Sequence, residues 1–332
     1  MKKLMNKPED FVKEMIEGIY LANPGKYDYY PEINTLIRKD IPEGKVAIMQ
    51  GSGSGHEPAH IMCVGKGMLD AACPGNVFAA PPSDFVYQCT MKVARPAGVL
   101  HIINNYQGDK MAWAGGREDA LDELDDVKIG VVVVNDDVSV KDSLYTVGRR
   151  GVAGNFFVIK CCGAASEKGA SLDELVALGE KVVSRVRSMG MALTSCTPPA
   201  KGSPLFEIAD DEIEMGIGIH GEPGRRRDKI RPIKDLVKEM FDAVAGDIPF
   251  KAGDRVALMI NGMGGTPISE LYIAYREAAK LCEEAGFTVA KNYVGNYCTS
   301  LEMAGFSLTM LQLDDEIEEL LNEPAEIAVR VF

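Results

Sequence analysis

The chain has 332 residues, 46% of them hydrophobic, which is enough for two buried cores and too many for disorder. Its formal net charge of −13 argues against nucleic acid or an anionic membrane surface as a partner, since both call for basic protein surfaces. No signal peptide is expected, because Lys2, Lys3, Lys7 and Glu9-Asp10 precede any apolar run, and no segment approaches the ~20 apolar residues of a membrane span.

Pro8-Glu9-Asp10 predicts the start of a helix whose apolar positions Phe11, Val12, Met15, Ile16, Ile19 and Tyr20 keep helical spacing until Asn23-Pro24-Gly25. Val46–Met49 is a short continuous apolar run, as expected of a strand buried on both faces, and it feeds a glycine loop, Gly51-Ser52-Gly53-Ser54-Gly55-His56-Glu57-Pro58. Val99–Ile103 and Ile129–Val134 read as two more such strands. Each ends in polar residues, Asn104 to Asp109 and Asn135-Asp136-Asp137. Helical stretches between them predict β-α-β repeats around a parallel sheet, with a ligand beyond the carboxyl ends of the strands. A helix is expected over roughly 171–188, followed by the linker-like segment Thr197 to Pro204. The expectation is a two-domain α/β protein, a parallel-sheet domain over 1–190 and a second α/β domain over 191–332. In the second half, Met215-Gly216-Ile217-Gly218-Ile219 reads as a strand leading into His220, Arg255–Ile260 as another, and about 269–284 as a helix.

The chain holds only four histidines, and two of them sit in glycine-rich loops, followed closely by Glu-Pro: His56-Glu57-Pro58 and His220-Gly221-Glu222-Pro223. Glycine lets backbone approach a small ligand, and histidine supplies a nucleophile or proton carrier near neutral pH. The first loop fails the dinucleotide fingerprint, because His56 stands where glycine is needed, and it lacks the lysine of a phosphate-binding P-loop. The letters His56-Glu57-Pro58-Ala59-His60 match a zinc-protease pattern that needs both histidines one helical turn apart. Pro58 is expected to begin the helix and leave His56 in the loop, so no metal site is expected. His60 then reads as a packed residue behind the site, and His101 as core. The basic run Arg225, Arg226, Arg227, Lys229 and Arg231 is either a docking patch or a solvated face. Eight cysteines without a Cys-x-x-Cys pair read as reduced, buried thiols of a cytoplasmic protein.

Taken together the motifs resemble the dihydroxyacetone kinase family. They are Gly53 to His60, Gly65-Lys66-Gly67-Met68-Leu69-Asp70, Asn105-Tyr106-Gln107-Gly108-Asp109, Val134 to Val138, Gly148 to Gly154, Gly218 to Gly224 and Asn261 to Thr266. The likeness runs from Lys2 to about Leu321 and is to the substrate-binding subunit of the phosphotransferase-dependent type. It implies that His220 adds to a ketone carbonyl to form a hemiaminal, that Asp109 is a general base, and that His56 handles protons on the same substrate. It implies that Gly53, Ser54, Gly55 and Asn104 line the ketose. It also implies a homodimer with no cofactor on this chain, served by a nucleotide-binding partner subunit that carries ADP or ATP and magnesium. The family commonly has a lysine at Asn104 and a serine or threonine pair at Ala79-Ala80. These departures leave open a four-carbon ketose such as erythrulose, and the family also includes ketose-sensing transcriptional coactivators.

Overall fold

The computed structural model describes residues 2–140, 148–248 and 250–329. The strands, in chain order, are β1 (Tyr27–Tyr30), β2 (Thr35–Arg38), β3 (Ala47–Gln50), β4 (Gly65–Lys66), β5 (Ala71–Ala72), β6 (Val99–Asn104), β7 (Ile129–Val134), β8 (Val186–Ala192), β9 (Glu212–Met215), β10 (Arg226–Lys229), β11 (Arg255–Gly262), β12 (Thr288–Gly295), β13 (Gly305–Gln312) and β14 (Glu326–Ile327). The α-helices are α1 (Phe11–Ala22), α2 (Ser83–Val93), α3 (Gln107–Glu123), α4 (Asn155–Glu167), α5 (Leu172–Arg185), α6 (Ile233–Ala245), α7 (Ile268–Glu284) and α8 (Asp315–Asn322).

Among the described residues two large sheets form. The first has the order β1-β2-β5-β3-β6-β7, in which β5, β3, β6 and β7 run parallel and β1 and β2 antiparallel. Alternate residues along its strands enter two separate cores. Ala47, Met49, Val99 and Ile103 pack with Trp113 of α3 and Val86 and Cys89 of α2, while Ile48, Leu100 and Ile102 pack on the side of α4 and α5. This is why Val46–Met49 and Val99–Ile103 read as unbroken apolar runs: neither face meets water.

The second sheet has the order β10-β9-β8-β13-β11-β12, and only its β11–β12 pair is parallel. One of its faces carries α6 and α7, with Leu258, Ile260, Leu308 and Met310 against Leu236, Met240, Leu271 and Ala274. Residues of the opposite face, Ala257, Met259 and Leu311, join the core of α4 and α5. Those two helices therefore lie between the sheets. Helix α4 is buried from Phe157 to Ser166, which explains its all-round apolar composition and the lack of an amphipathic stripe. The sheet changes at Val186, and after β13 the chain returns to the first layer: α8 packs on α4, and β14 pairs with β4.

Two expected elements do not form. No α-helix follows the first glycine loop; residues 57–60 turn and Ile61–Cys63 make a single 3₁₀ turn, so Pro58 starts no helix and His60 is in none. The backbone groups that a helix would use are taken from 240 residues away. Thr299 N–H donates to His56 O, Leu301 N–H to Gly55 O, and the Thr299 hydroxyl to Glu57 O. The strand expected through Ile219 stops at Met215, because Gly216 turns with φ +81 and Gly218 bonds across to Glu222 O.

A buried ionic cluster clamps the far end of α4 to the first sheet. Asp70 accepts from Lys45 Nζ and from Ile48 N–H and faces Arg38 at 3.3 Å, while Arg38 also reaches Glu167 of α4. Breaking such a cluster leaves uncompensated charge in low dielectric. Asp70→Asn is expected to lower stability by about 3–5 kcal/mol, read as a fall in the urea midpoint without a change in m-value.

Candidate functional site

The site lies beyond the carboxyl ends of β3 and β6, where Gly51–Gly55 and Asn104–Asp109 leave the first sheet. The glycines of the first loop are required by another piece of the chain. A Cβ at Gly51 would meet Cys73 O at 2.5 Å, and one at Gly53 would meet Phe78 Cα and Ala79 N at 2.8 Å. Gly55, at φ +98, has no room beside the Phe78 ring. Ser54 is tied to the same segment, its N–H donating to Asn76 O and its hydroxyl to Gly75 O. Phe78, itself at φ +61, is held by this pairing with its ring stacked 5.2 Å from His56 and 5.4 Å from His220.

His220 comes from the second sheet. The chain leaves β9, turns at Gly216 and brings His220 edge-on to His56 at 4.8 Å and to Tyr106 at 4.6 Å. Its Nδ1 lies 2.8 Å from Glu222 Oε1, and its own backbone N–H donates to Glu222 Oε2. Burial acts to raise the Glu222 pKa, but the charge and hydrogen bond of His220 and the charge of Arg150 outweigh it and hold the group down to about 2. An ionised carboxylate only accepts, so Nδ1 carries a hydrogen, and in the neutral ring Nε2 carries the lone pair.

The other side chains are set by similar reasoning. His56 is fully buried, and its Nδ1 donates to Thr299 O at 2.8 Å, because a carbonyl only accepts; Nε2 is therefore an acceptor. Burial, then the His220 charge, push the His56 pKa well below its usual range. His60 Nδ1 pairs with Gln50 Oε1, and burial together with His220 lowers its pKa to about 3. Asp109, in the first turn of α3, accepts from the Ser52 hydroxyl at 3.0 Å; burial raises its pKa to about 7 against the opposing effects of His220 and Ser52. Asn104 Oδ1 faces Gln50 Nε2 at 3.5 Å.

Five buried polar atoms at this site have no hydrogen-bond partner among the described residues: His56 Nε2, His60 Nε2, Asp109 Oδ1, Asn104 Nδ2 and the Tyr106 hydroxyl. Such atoms are costly unless something polar meets them. Acceptors and donors are both present, which suits a small polyhydroxylated molecule next to the His220 Nε2 lone pair. His56 and His60 stand 6.5 Å apart, centroid to centroid, with their Nδ1 atoms engaged by different partners. Among the described residues no group of three or more His, Cys, Asp or Glu could hold a metal ion. No helix among the described residues is long and apolar enough to cross a membrane.

Comparison with known proteins gives this geometry its relatives. A model of the Dak1 domain matches residues 17–329. The chain belongs to the Dak1 domain family. It is 46% identical, over 95% of both chains, to the dihydroxyacetone-binding subunit of PTS-dependent dihydroxyacetone kinase 1 of Listeria innocua. Among solved structures it is similar to the dihydroxyacetone kinase operon co-activator Dha-DhaQ, with a TM-score of 0.89, 34% identity and coverage of 94% of this chain and 96% of that one. It also resembles the dihydroxyacetone kinase of C. freundii, with a TM-score of 0.88 and 32% identity, where 99% of this chain spans 60% of the longer one.

This Dak1 domain brings His220, His56, Asp109, Gly53 and Asn104 to one place, together with residues to which sequence reasoning gave no task. Glu222 was visible two residues after His220, but only the turn at Gly221, φ +76, shows that it folds back on the ring. Tyr106, Phe78 and Ser52 were within quoted segments or beside them, without any spacing signal. The basic run is mostly spent on ion pairs: Arg226 and Arg231 with Asp228 and Glu239, Arg227 with Glu214. Open grooves lie elsewhere, on the second sheet beside Leu193 and Ile230 and beside β14. A ¹³C titration of Asp109 should give a midpoint of about 7, and Ser52→Ala should move it upward by removing a bond that favours the charged form.

Proposed function

We propose that this chain holds dihydroxyacetone, or a closely related short ketose, as a covalent hemiaminal on His220 and presents it to a nucleotide-bound partner subunit for phosphorylation. The observation that carries the reading is the Nδ1–Glu222 bond, which leaves Nε2 as the free nitrogen of a ring that stands 4.8 Å from His56, in a site where buried atoms of His56, Asp109 and Asn104 lack partners. The 46% identity to a dihydroxyacetone-binding subunit supports the choice of ketose.

The step balances as follows. Nε2 adds to the carbonyl carbon, the π pair moves onto oxygen, and that oxygen takes up a proton from solvent, matched by the one that Nδ1 gives up. The proton on Nδ1 passes toward Glu222, so the imidazole ends neutral and N-substituted. His56 Nε2 accepts from a substrate hydroxyl, and ionised Asp109 takes the proton of the hydroxyl that will attack phosphorus. The Gly53 N–H and Asn104 Nδ2 donate to the remaining oxygens, beside Ser54 and Gly55 of the same loop. A polyol without a carbonyl cannot form the bond, which separates ketose from glycerol by chemistry rather than by size.

The partner subunit supplies ADP or ATP with magnesium, and its phosphoryl group comes from ATP or from a phosphotransferase protein. The same reading takes the chain as a cytoplasmic homodimer. A second reading follows from the TM-score of 0.89 to a co-activator: adduct formation alone would serve a ketose sensor. Asn104 bears on both readings, since it offers a neutral donor where a cation is common in the family.

Three outcomes are expected. Intact-mass spectra with dihydroxyacetone should show an adduct that His220→Ala abolishes. With a nucleotide-loaded partner subunit present, the rate of phosphoryl transfer should rise as pH increases through about 7, because the active base is the ionised form of a carboxyl whose pKa has been raised. Asp109→Asn should flatten that profile and slow the step by about 10²-fold. Adding a nucleotide-loaded partner subunit should release phosphorylated ketose; binding without transfer would favour the sensor.

A further inference from the structure

We propose that Arg150 is a positioning residue for the covalent histidine, reaching across from the first sheet's connections to fix the His220 loop and to keep Glu222 in its charged, proton-accepting form. The proposal rests on the reading of His220 as the nucleophile. It also gives work to two motifs, Asn135 to Val138 and Gly148 to Gly154, which the chemistry above leaves unused.

Arg150 is completely buried, and an arginine there must be matched on all sides. Its Nε and Nη2 meet Asp137 Oδ2 at 2.8 and 2.7 Å, and Nη2 also donates to Gly216 O at 2.7 Å. Asp137 is fixed in turn, since its Oδ1 accepts from Ser139 N–H and its own N–H donates to Arg150 O. The guanidinium thus grips the residue at which the chain turns out of β9 toward His220. The third nitrogen, Nη1, has no hydrogen-bond partner among the described residues. It faces Glu222 beside Gly218: a Cβ built at Gly218 would overlap Glu222 Oε2 and lie 2.7 Å from Arg150 Nη1. The pair stops short of ion-pair contact, yet at this depth attraction between opposite charges remains strong without it.

Glu222 needs that charge. It is screened from water, and among the described residues the ionisable groups around it are His220, Arg150, Tyr106 and His56, of which only Arg150 is permanently cationic. Neutral Glu222 would no longer fix the hydrogen on Nδ1, and the Nε2 lone pair would be lost from part of the population. The alternation Gly216-x-Gly218 has the same origin. A Cβ at Gly216 would meet Ser139 Cβ at 2.9 Å, and one at Gly218 would enter the space between Glu222 and Arg150.

The test uses the whole chain with [2-¹³C]dihydroxyacetone, following conversion of the carbonyl resonance to a tetrahedral-carbon resonance, and ¹⁵N spectra of the His220 ring. Arg150→Met is expected to lower the adduct fraction by about tenfold or more and to shift His220 from one tautomer to a mixture, whereas Arg150→Lys recovers part of both. In a Glu222→Gln background, Arg150→Met should add little further loss, because the charge it supports is already gone. Equal losses in both backgrounds, or an unchanged His220 tautomer in Arg150→Met, would overturn the proposal. If Arg150→Met does not fold, Arg150→Lys carries the test: loss without tautomer change contradicts the assignment. No adduct in the wild type would sink the nucleophile reading instead, which the tautomer measurement distinguishes.

Discussion

A neutral histidine becomes a usable nucleophile when one ring nitrogen is held by a group that can only accept, and in this chain that group is Glu222. The bond decides which nitrogen bears hydrogen, and the direction of the ring then decides what the lone pair meets. Everything else at the site follows from keeping this carboxylate ionised in a buried place. Burial alone would neutralise it, so the hydrogen bond from His220 Nδ1 and the permanent charge of Arg150 must work against desolvation. His56 and Asp109 sit in the same medium with the opposite outcome, one held neutral and the other raised to about 7. Three titratable groups in one pocket are thereby given different protonation states near neutral pH.

The architecture explains how such a pocket comes to exist. Placing α4 and α5 between two sheets forces the loops at one end of the stack to meet. The first sheet contributes a nearly rigid wall from β3 and β6, with Trp113 Nε1 bonded to Gly51 O and Ser52 bonded to Asp109. The second sheet contributes His220 on a turn. Thr299 and Leu301, between β12 and β13, lock the two together through the backbone of Gly55, His56 and Glu57. Phe78, Tyr106 and His56 stand around the His220 ring with centroids 4.6–5.4 Å from it.

Much of this was readable in advance where the cause is local. The strands β3, β6 and β7 show as apolar runs because both faces are covered, and helices such as α1, α5 and α7 show as periodic stripes. The two histidines stood out through their glycine settings. What could not be read depended on distant contacts. The missing helix after Pro58 is lost to bonds from residues 243 positions away, and no local signal competes with the helix propensity there. The glycines of the first loop suggested a ligand, yet three of them are required by the 73–79 segment. Asp109 showed in the sequence only as part of a polar strand end; its raised pKa comes from burial in the assembled pocket. Glu222 was in plain view, but its partner was only fixed by the left-handed turn at Gly221.

The most direct test of the central claim is a crystal structure of the protein soaked with dihydroxyacetone. The account requires continuous density joining His220 Nε2 to the central carbon of the ketose, with its oxygens on His56 Nε2, Asp109 Oδ1 and Asn104 Nδ2. An intact planar ketose held away from Nε2, or bound in one of the open grooves instead, would contradict it.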